Sequence, residues 1–465
     1  MKSKILTEGK MSQKKIKKKK PKEKFQLNNE SAQAPAFIKN PGNKIRLVFY
    51  GDAPPCATGF ATVSKNVLMG LHQTGKFDIR VLGINYWGDP HEYPFPIWPV
   101  GTNPDRDPYG RKKVCQMIAS WDFDMLFFLQ DSFILLFIPE LLQHLKAQNK
   151  KFTSLCYFPI DGTPKKNWID AVTAVDMPVT YTEFGYNECV KLVPACEDKL
   201  QIVPHGVNPE HFFPIPEEHV KPFRSQYFGP QADNFIYMNL NRNQQRKDIP
   251  KTMLAFNKVH EDDPKTTLYL HMAMQDQGWN LVEVAKTFKL DPTTDIIFPS
   301  NFGPNQGFPI RSVNMIYNAA DAVISTTLGE GWGLSWVEAM AAKTPVIMPN
   351  NTSMAEHITE DVGYLIDSGM DIDHYTILPN DNEVLRPTVD VEHMVELMHH
   401  VKDNPDDARE KIENAYKYVM DNFLWQEHIV PQWIDLISEL AEKGPEEKEE
   451  KAIDPGSKTI LTESF

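Results

Sequence analysis

Several chemistries are disfavoured by what the sequence lacks. Its five cysteines (Cys56, Cys115, Cys156, Cys189, Cys196) are odd in number and form no C-x-x-C pair. Neither a disulfide framework nor a thiolate metal site is expected, and reduced thiols suit a cytoplasmic compartment. No apolar run is long enough to span a bilayer. The most hydrophobic stretch, MLFFLQDSFILLFIPELL from Met125, is broken by Asp131 and Pro139. The lysine-rich start is not followed by an apolar core, so it is not expected to be a secretory signal. Two D-x-D pairs, Asp122 with Asp124 and Asp371 with Asp373, do not follow strands as a metal-binding pair would. No metal site is therefore expected. No solenoid-type repeat is visible.

Charge is unevenly spread. The chain carries a net -13, yet residues 1–24 hold eleven lysines against two glutamates. A block of like charge of this kind predicts a basic, disordered tail over 1–43. Two readings of it stay open: a solubility tail, or an arm that touches nucleic acid or an anionic membrane surface. The acidic remainder argues against general nucleic-acid binding.

A chain of 465 residues is too long for one ordinary core. Strand-like runs such as KIRLVFYGD, FDIRVLGIN, MLFFLQD and FTSLCYFPID alternate with helical stretches such as FATVSKNVLMGLHQTG. Their near-continuous apolar character predicts a parallel sheet covered on both faces. This pattern gives a first domain over 44–210, and a second alternation from FIYMNLN gives another over 211–422, whose end from Val391 to Asn422 has a helical pattern. A final amphipathic helix with an internal Pro431 follows over 423–441, and a disordered tail is expected over 442–465. The fold class is α/β, with two facing Rossmann-like, doubly wound domains and a ligand cleft between them.

Chemistry concentrates in TTLGEGWGLSWVEAMAAKTPVIMPNN, from Thr326 to Asn351. It reads as a glycine-rich loop, a helix and a buried strand. Gly331 and Gly333 permit close approach of a ligand. The N–H groups at Gly333 and Leu334 open a helix, a place that binds phosphate. Glu330 precedes the helix and Glu338 lies just over one turn into it, so the two carboxylates suit hydroxyls on either side of that phosphate. In NLNRNQQRKDI, Arg242 and Lys247 follow a strand and are placed to neutralise a diphosphate leaving group. Arg246 is assigned no role.

R-x4-K followed by E-x7-E, with IVPHGVNPEHFFP between the domains, resembles the retaining glycosyltransferases of the GT-B fold. The likeness is to family 4, with a donor domain of the glycogen synthase and phosphatidylinositol mannosyltransferase type, and covers roughly 44–440. The resemblance implies that Arg242 and Lys247 contact the donor diphosphate and that Glu338 holds the ribose. Glu330, with the Gly333–Leu334 backbone, would meet the transferred sugar and its phosphate. The final helix would cross back to the first domain. The co-substrate implied is a nucleotide-diphospho-sugar, a UDP-sugar by preference, with no tightly bound cofactor, no metal and retained anomeric configuration. In YGDAPPCATGFATV, Gly59 resembles the family's glycine-rich loop near the donor phosphates; it is not G-x-G-x-x-G, which disfavours dinucleotide binding.

One departure stands out. Where many relatives carry a histidine, FPIDGTP places Asp161, which would hold a sugar hydroxyl or help deprotonate the acceptor; an Asx turn explains it equally simply. Asp131 and His205 are further cleft candidates, His205 alternatively as a packed hinge residue. The acceptor hydroxyl is unassigned. Hydroxymethylated pyrimidines of DNA are retained as one option, because some virus-encoded relatives use them and the basic tail would reach DNA. The location would then be the host cytoplasm. A nucleotide-sugar epimerase and a non-catalytic sugar-nucleotide binding protein remain as readings of other classes.

Overall fold

The computed structural model describes residues 44–101, 107–300, 302–303 and 307–444. The expectations for 1–43 and 445–465 lie outside the described residues. Between Ile45 and Ile202 run β1 (Ile45–Asp52), β2 (Phe77–Ile84), β3 (Ile97–Pro99), β4 (Met125–Leu129), β5 (Thr153–Tyr157), β6 (Met177–Thr180) and β7 (Gln201–Ile202). They form one parallel sheet in the order β3-β2-β1-β4-β5-β6-β7, with Leu47 opposite both Ile79 and Met125. Every residue of MLFFL and TSLCY is buried, because helices cover both faces of the sheet.

The second lobe repeats the design. Strands β8 (Phe235–Asn239), β9 (Thr266–Leu270), β10 (Ile296–Ile297), β11 (Ala322–Ile324), β12 (Val346–Pro349) and β13 (Tyr364–Ile366) are parallel, in the order β10-β9-β8-β11-β12-β13. Strand order reverses between β1 and β4 and again between β8 and β11. In open sheets of this kind the crevice beyond the carboxyl ends at such a reversal is where ligands bind.

Three features differ from the sequence reading. An antiparallel hairpin, β14 (Tyr375–Ile377) with β15 (Leu385–Pro387), lies where no element was expected. The helical stretch 391–422 is two helices, Val391–Asp403 and Pro405–Asn422, because the proline disfavours helical backbone at Asn404 before it. Pro431 sits in the first turn of the helix Val430–Lys443, directly after a π-helical turn Trp425–Ile429, rather than inside one continuous α-helix.

That last helix returns to the first lobe. Val207 N donates to Phe423 O at 2.7 Å and Trp425 N to Val207 O at 3.1 Å. The Trp433 ring then packs on Phe127 and Tyr157, with centroids 5.3 and 4.7 Å away. A Cβ on Gly70 would fall 2.2 Å from Val430 Cγ1, so the two helices approach to van der Waals contact there. A second tie uses charge. The carboxylate of Glu356, from the second lobe, accepts from Glu183 N (3.1 Å) and Phe184 N (3.0 Å) at the start of the first-lobe helix Glu183–Leu192. An anion there meets the positive end of the helix dipole.

Candidate active site

The loops at both strand-order reversals converge. From the second lobe, the loop after β8 brings Arg242, Arg246 and Lys247, and the loop after β11 brings Glu330. The first-lobe loops carry Gly59 after β1, Asp131 after β4 and Asp161 after β5. A Cβ on Gly59 would lie 3.7 Å from Leu334 Cδ1, so the glycine-rich loop of one lobe faces the helix start of the other.

The loop 329–333 is held from several sides. Glu330 N donates to Thr352 Oγ1 at 2.9 Å, and Trp332 O accepts from both Ser353 Oγ (2.8 Å) and Trp336 Nε1 (2.7 Å). Gly333 has φ 88°, a left-handed backbone that favours glycine, and leads into the helix Leu334–Ala341, which no side chain caps. The Glu330 carboxylate bonds Lys247 Nζ and lies 3.4 Å from Arg246 Nη1. Burial and the Arg246 guanidinium push the Lys247 amine down to about 8, against the pull of Glu330. Despite its burial, Glu330 is held below the usual carboxylate range by Lys247 and Arg246. Glu338, half-buried one turn into the helix, accepts from Tyr317 OH at 2.9 Å, and burial raises it to about 7.

Arg242 and Lys247 take different partners, Asp276 and Glu330. Arg242 points to Asp276, at 2.6 and 3.2 Å, and is partly exposed. Arg246, given no role from the sequence, takes the central position instead: its Nε lies 3.2 Å from Asp161 Oδ2 and its Nη1 donates to Gly329 O. Asp161 also accepts from Arg386 Nη1 at 3.1 Å. Burial alone would raise Asp161, but Arg246 and Arg386 outweigh it and hold the carboxyl below its ordinary range. Asp131 goes the other way. Burial, with the negative charge of Asp161 added, pushes it up to about 7.

His205 is buried in a ring cluster of Tyr157, Tyr181, Trp332 and Trp425, with Tyr181 nearest at 4.2 Å. Neither of its ring nitrogens has a hydrogen-bond partner among the described residues, and burial lowers its pKa to about 3. It is therefore a neutral residue of the junction between the lobes. The two D-x-D pairs are locally engaged. Asp124 accepts from Arg46 at 2.7 and 3.0 Å, and Asp371 accepts from Asp373 N and His374 Nδ1.

Two supports went unseen in the sequence. Asn239, Asn241 and Asn243, alternating from the last residue of β8 onward, are all buried. Asn241 Nδ2 donates to Ser325 Oγ at 2.8 Å, and Asn243 exchanges bonds with Trp279 N (3.0 Å) and Trp279 O (2.7 Å). The N-x-N-x-N spacing just ahead of R-K was the available signal. In the first lobe, Asp52 gathers Thr58 Oγ1 (2.6 Å), Asn85 Nδ2 (3.0 Å) and Gln130 Nε2 (3.1 Å), tying three loops at the cleft.

Comparison with known proteins agrees with this geometry. Residues 308–378, which include the Glu330 loop and the Glu338 helix, match the family described as Glycosyl transferases group 1. The alpha-galactosylglucosyldiacylglycerol synthase of Streptococcus pneumoniae is 23% identical over 251 residues, 53% of this chain and 57% of that one. The chain spans about half the length of the curated relatives it matches. Among solved structures, sucrose-phosphate synthase from Thermosynechococcus elongatus superposes with a TM-score of 0.65 at 16% identity, covering 86% of this chain and 100% of that one. Anabaena HepE in complex with UDP and glucose gives 0.62 at 13%, covering 85% and 100%. The chain thus has the GT-B fold, and its segment 308–378 is similar to the group 1 glycosyl transferases.

Proposed function

We propose that the protein transfers a hexosyl or pentosyl group from a UDP-sugar to an acceptor hydroxyl, with retention at the anomeric carbon and without a bound metal. The observation that carries this reading is the meeting of Lys247, Glu330, the uncapped helix start at Gly333–Leu334 and Glu338 at one strand-order reversal. A helix N-terminus with a lysine beside it suits a diphosphate, and a carboxylate on either side suits sugar and ribose hydroxyls. The UDP and glucose of the Anabaena structure make a UDP-sugar the first donor to try.

In the reaction, the bond from the anomeric carbon to the β-phosphate oxygen breaks and a bond to the acceptor oxygen forms. The acceptor proton is taken by ionised Asp131, which returns it to solvent, and the diphosphate leaves as UDP. Lys247, Arg246 and the N–H groups at Leu334 stabilise the charge that grows there, and loss of one such contact costs about 3 kcal/mol in the transition state. Arg242 reaches the diphosphate only by leaving Asp276. Asp161, kept ionised by two guanidiniums, is suited to accept a sugar hydroxyl rather than a proton. Asp131, near neutrality, is the cleft carboxyl suited to proton exchange on the acceptor side.

Calorimetric titration with UDP tests the donor site. The wild type should bind UDP, and Glu338→Ala should weaken binding by about tenfold, a loss of ~1.4 kcal/mol. Equal affinity in the two proteins would remove Glu338 from the ribose, and no binding of UDP by the wild type would overturn the UDP-sugar reading.

A further inference from the structure

The hairpin β14–β15 presents two unlike faces. Tyr375 pairs with Pro387 and Ile377 with Leu385 on one face, whose Tyr375, Ile377 and Leu385 are exposed. Thr376 and Arg386 pair on the other, since side chains alternate along a strand. That second face turns into the protein. Arg386 is only 3% exposed.

Its guanidinium makes four hydrogen bonds and joins the two lobes. Nε and Nη2 donate to the Asp381 carboxylate, in the hairpin's own turn, at 2.7 and 3.1 Å. Nη1 donates to both the carbonyl and the Oδ1 of Asp161, in the first lobe. Room for it is made by glycine on both sides. A Cβ on Gly162 would stand 2.6 Å from Nη1, and one on Gly329 would stand 2.0 Å from Asp161 O and 3.3 Å from Nη1. Burying a guanidinium is costly unless it is paired and hydrogen-bonded, and here both conditions are met by partners from two lobes.

We infer that Arg386 is a positioning residue for the donor sugar, acting through Asp161, so that the sugar subsite is complete only while the hairpin spans the cleft. This rests on the UDP-sugar reading above. Arg246 lies between Asp161 and Glu330, 3.2 and 3.4 Å from their carboxylates. A sugar that meets Glu330 is therefore beside Asp161. Each Asp161 oxygen, facing one guanidinium, keeps a further lone pair for a sugar hydroxyl. Without Arg386, the carboxylate keeps only Arg246 and turns toward it, away from the pose in which it meets the sugar. The nucleotide half of the donor does not depend on this pair.

The test compares UDP affinity with turnover. Wild type, Arg386→Gln, Arg386→Lys, Asp161→Asn and the double variant are titrated with UDP and assayed with whichever of UDP-glucose, UDP-galactose and UDP-N-acetylglucosamine the wild type consumes. Arg386→Gln should bind UDP within about twofold of wild type and lose about 100-fold in kcat, the scale of a misplaced reacting group. Arg386→Lys should recover part of the loss. The double variant should be no slower than Asp161→Asn alone. Unchanged turnover in Arg386→Gln would overturn the inference, and so would a parallel loss of UDP affinity and thermal stability, which marks a purely structural role. A wild type that binds neither UDP nor any of the three sugars overturns the underlying reading and this inference with it.

Discussion

Lys247 and Asp131 carry pH expectations of opposite sense. With its amine lowered to about 8, Lys247 loses its proton above that pH, and the diphosphate then loses a cation. UDP affinity should fall about tenfold between pH 7 and pH 9, and Lys247→Gln should flatten the profile. A wild-type affinity constant across that range would contradict a lysine on the phosphate. Asp131, raised to about 7, must be ionised to take a proton. So kcat/KM should rise with pH through about 7. Asp131→Asn should abolish that limb while Asp161→Asn retains it; the reverse pattern would exchange their roles. At this scale the sequence told residue type and neighbourhood but not direction. It singled out Arg242 and Lys247 by spacing, yet nothing in R-x4-K says that Arg242 turns to Asp276 while Arg246 turns inward. That choice depends on Asp161, far away in the chain, and on the space left by Gly329.

Among the elements, the loop-helix-strand unit around Glu330 was legible because its signals are local: glycines for the turn, an apolar helix, an apolar strand. The asparagine comb was not, since its partners at Trp279 and Ser325 belong to other loops. Asn243→Ala should strip the bonds to Trp279 and cost about 1–3 kcal/mol of stability by denaturant unfolding, because buried polar groups lose their partners. A change near zero would mean that the loop after β8 is held by other means. The hairpin was missed for a physical reason as well. YTI and LRP are short, and their outward face is apolar while the inward face carries Arg386, the inverse of the usual strand pattern. Periodicity reading assigns such a segment to loop.

At the level of the whole molecule, the alternation of apolar strands and helices made the two-lobe α/β architecture readable, since buried parallel strands leave an unmistakable hydrophobic signature. How the lobes are joined was visible only in outline. The contacts that do it are Val207 with Phe423 and Trp425, Glu356 at the helix Glu183–Leu192, and Trp433 on Phe127 and Tyr157. Trp433 is wholly buried. Trp433→Ala should cost about 3–5 kcal/mol, as large aromatic truncations in cores do, and should lower the thermal midpoint. The central claim, a cleft that activates a nucleotide-sugar with retention, is tested most directly by following the wild type with a UDP-α-sugar and water by proton NMR. The account predicts slow release of UDP with the α-anomer of the free sugar formed first. First appearance of the β-anomer would contradict retention, and an unchanged donor spectrum with every UDP-sugar tried would contradict the claim itself.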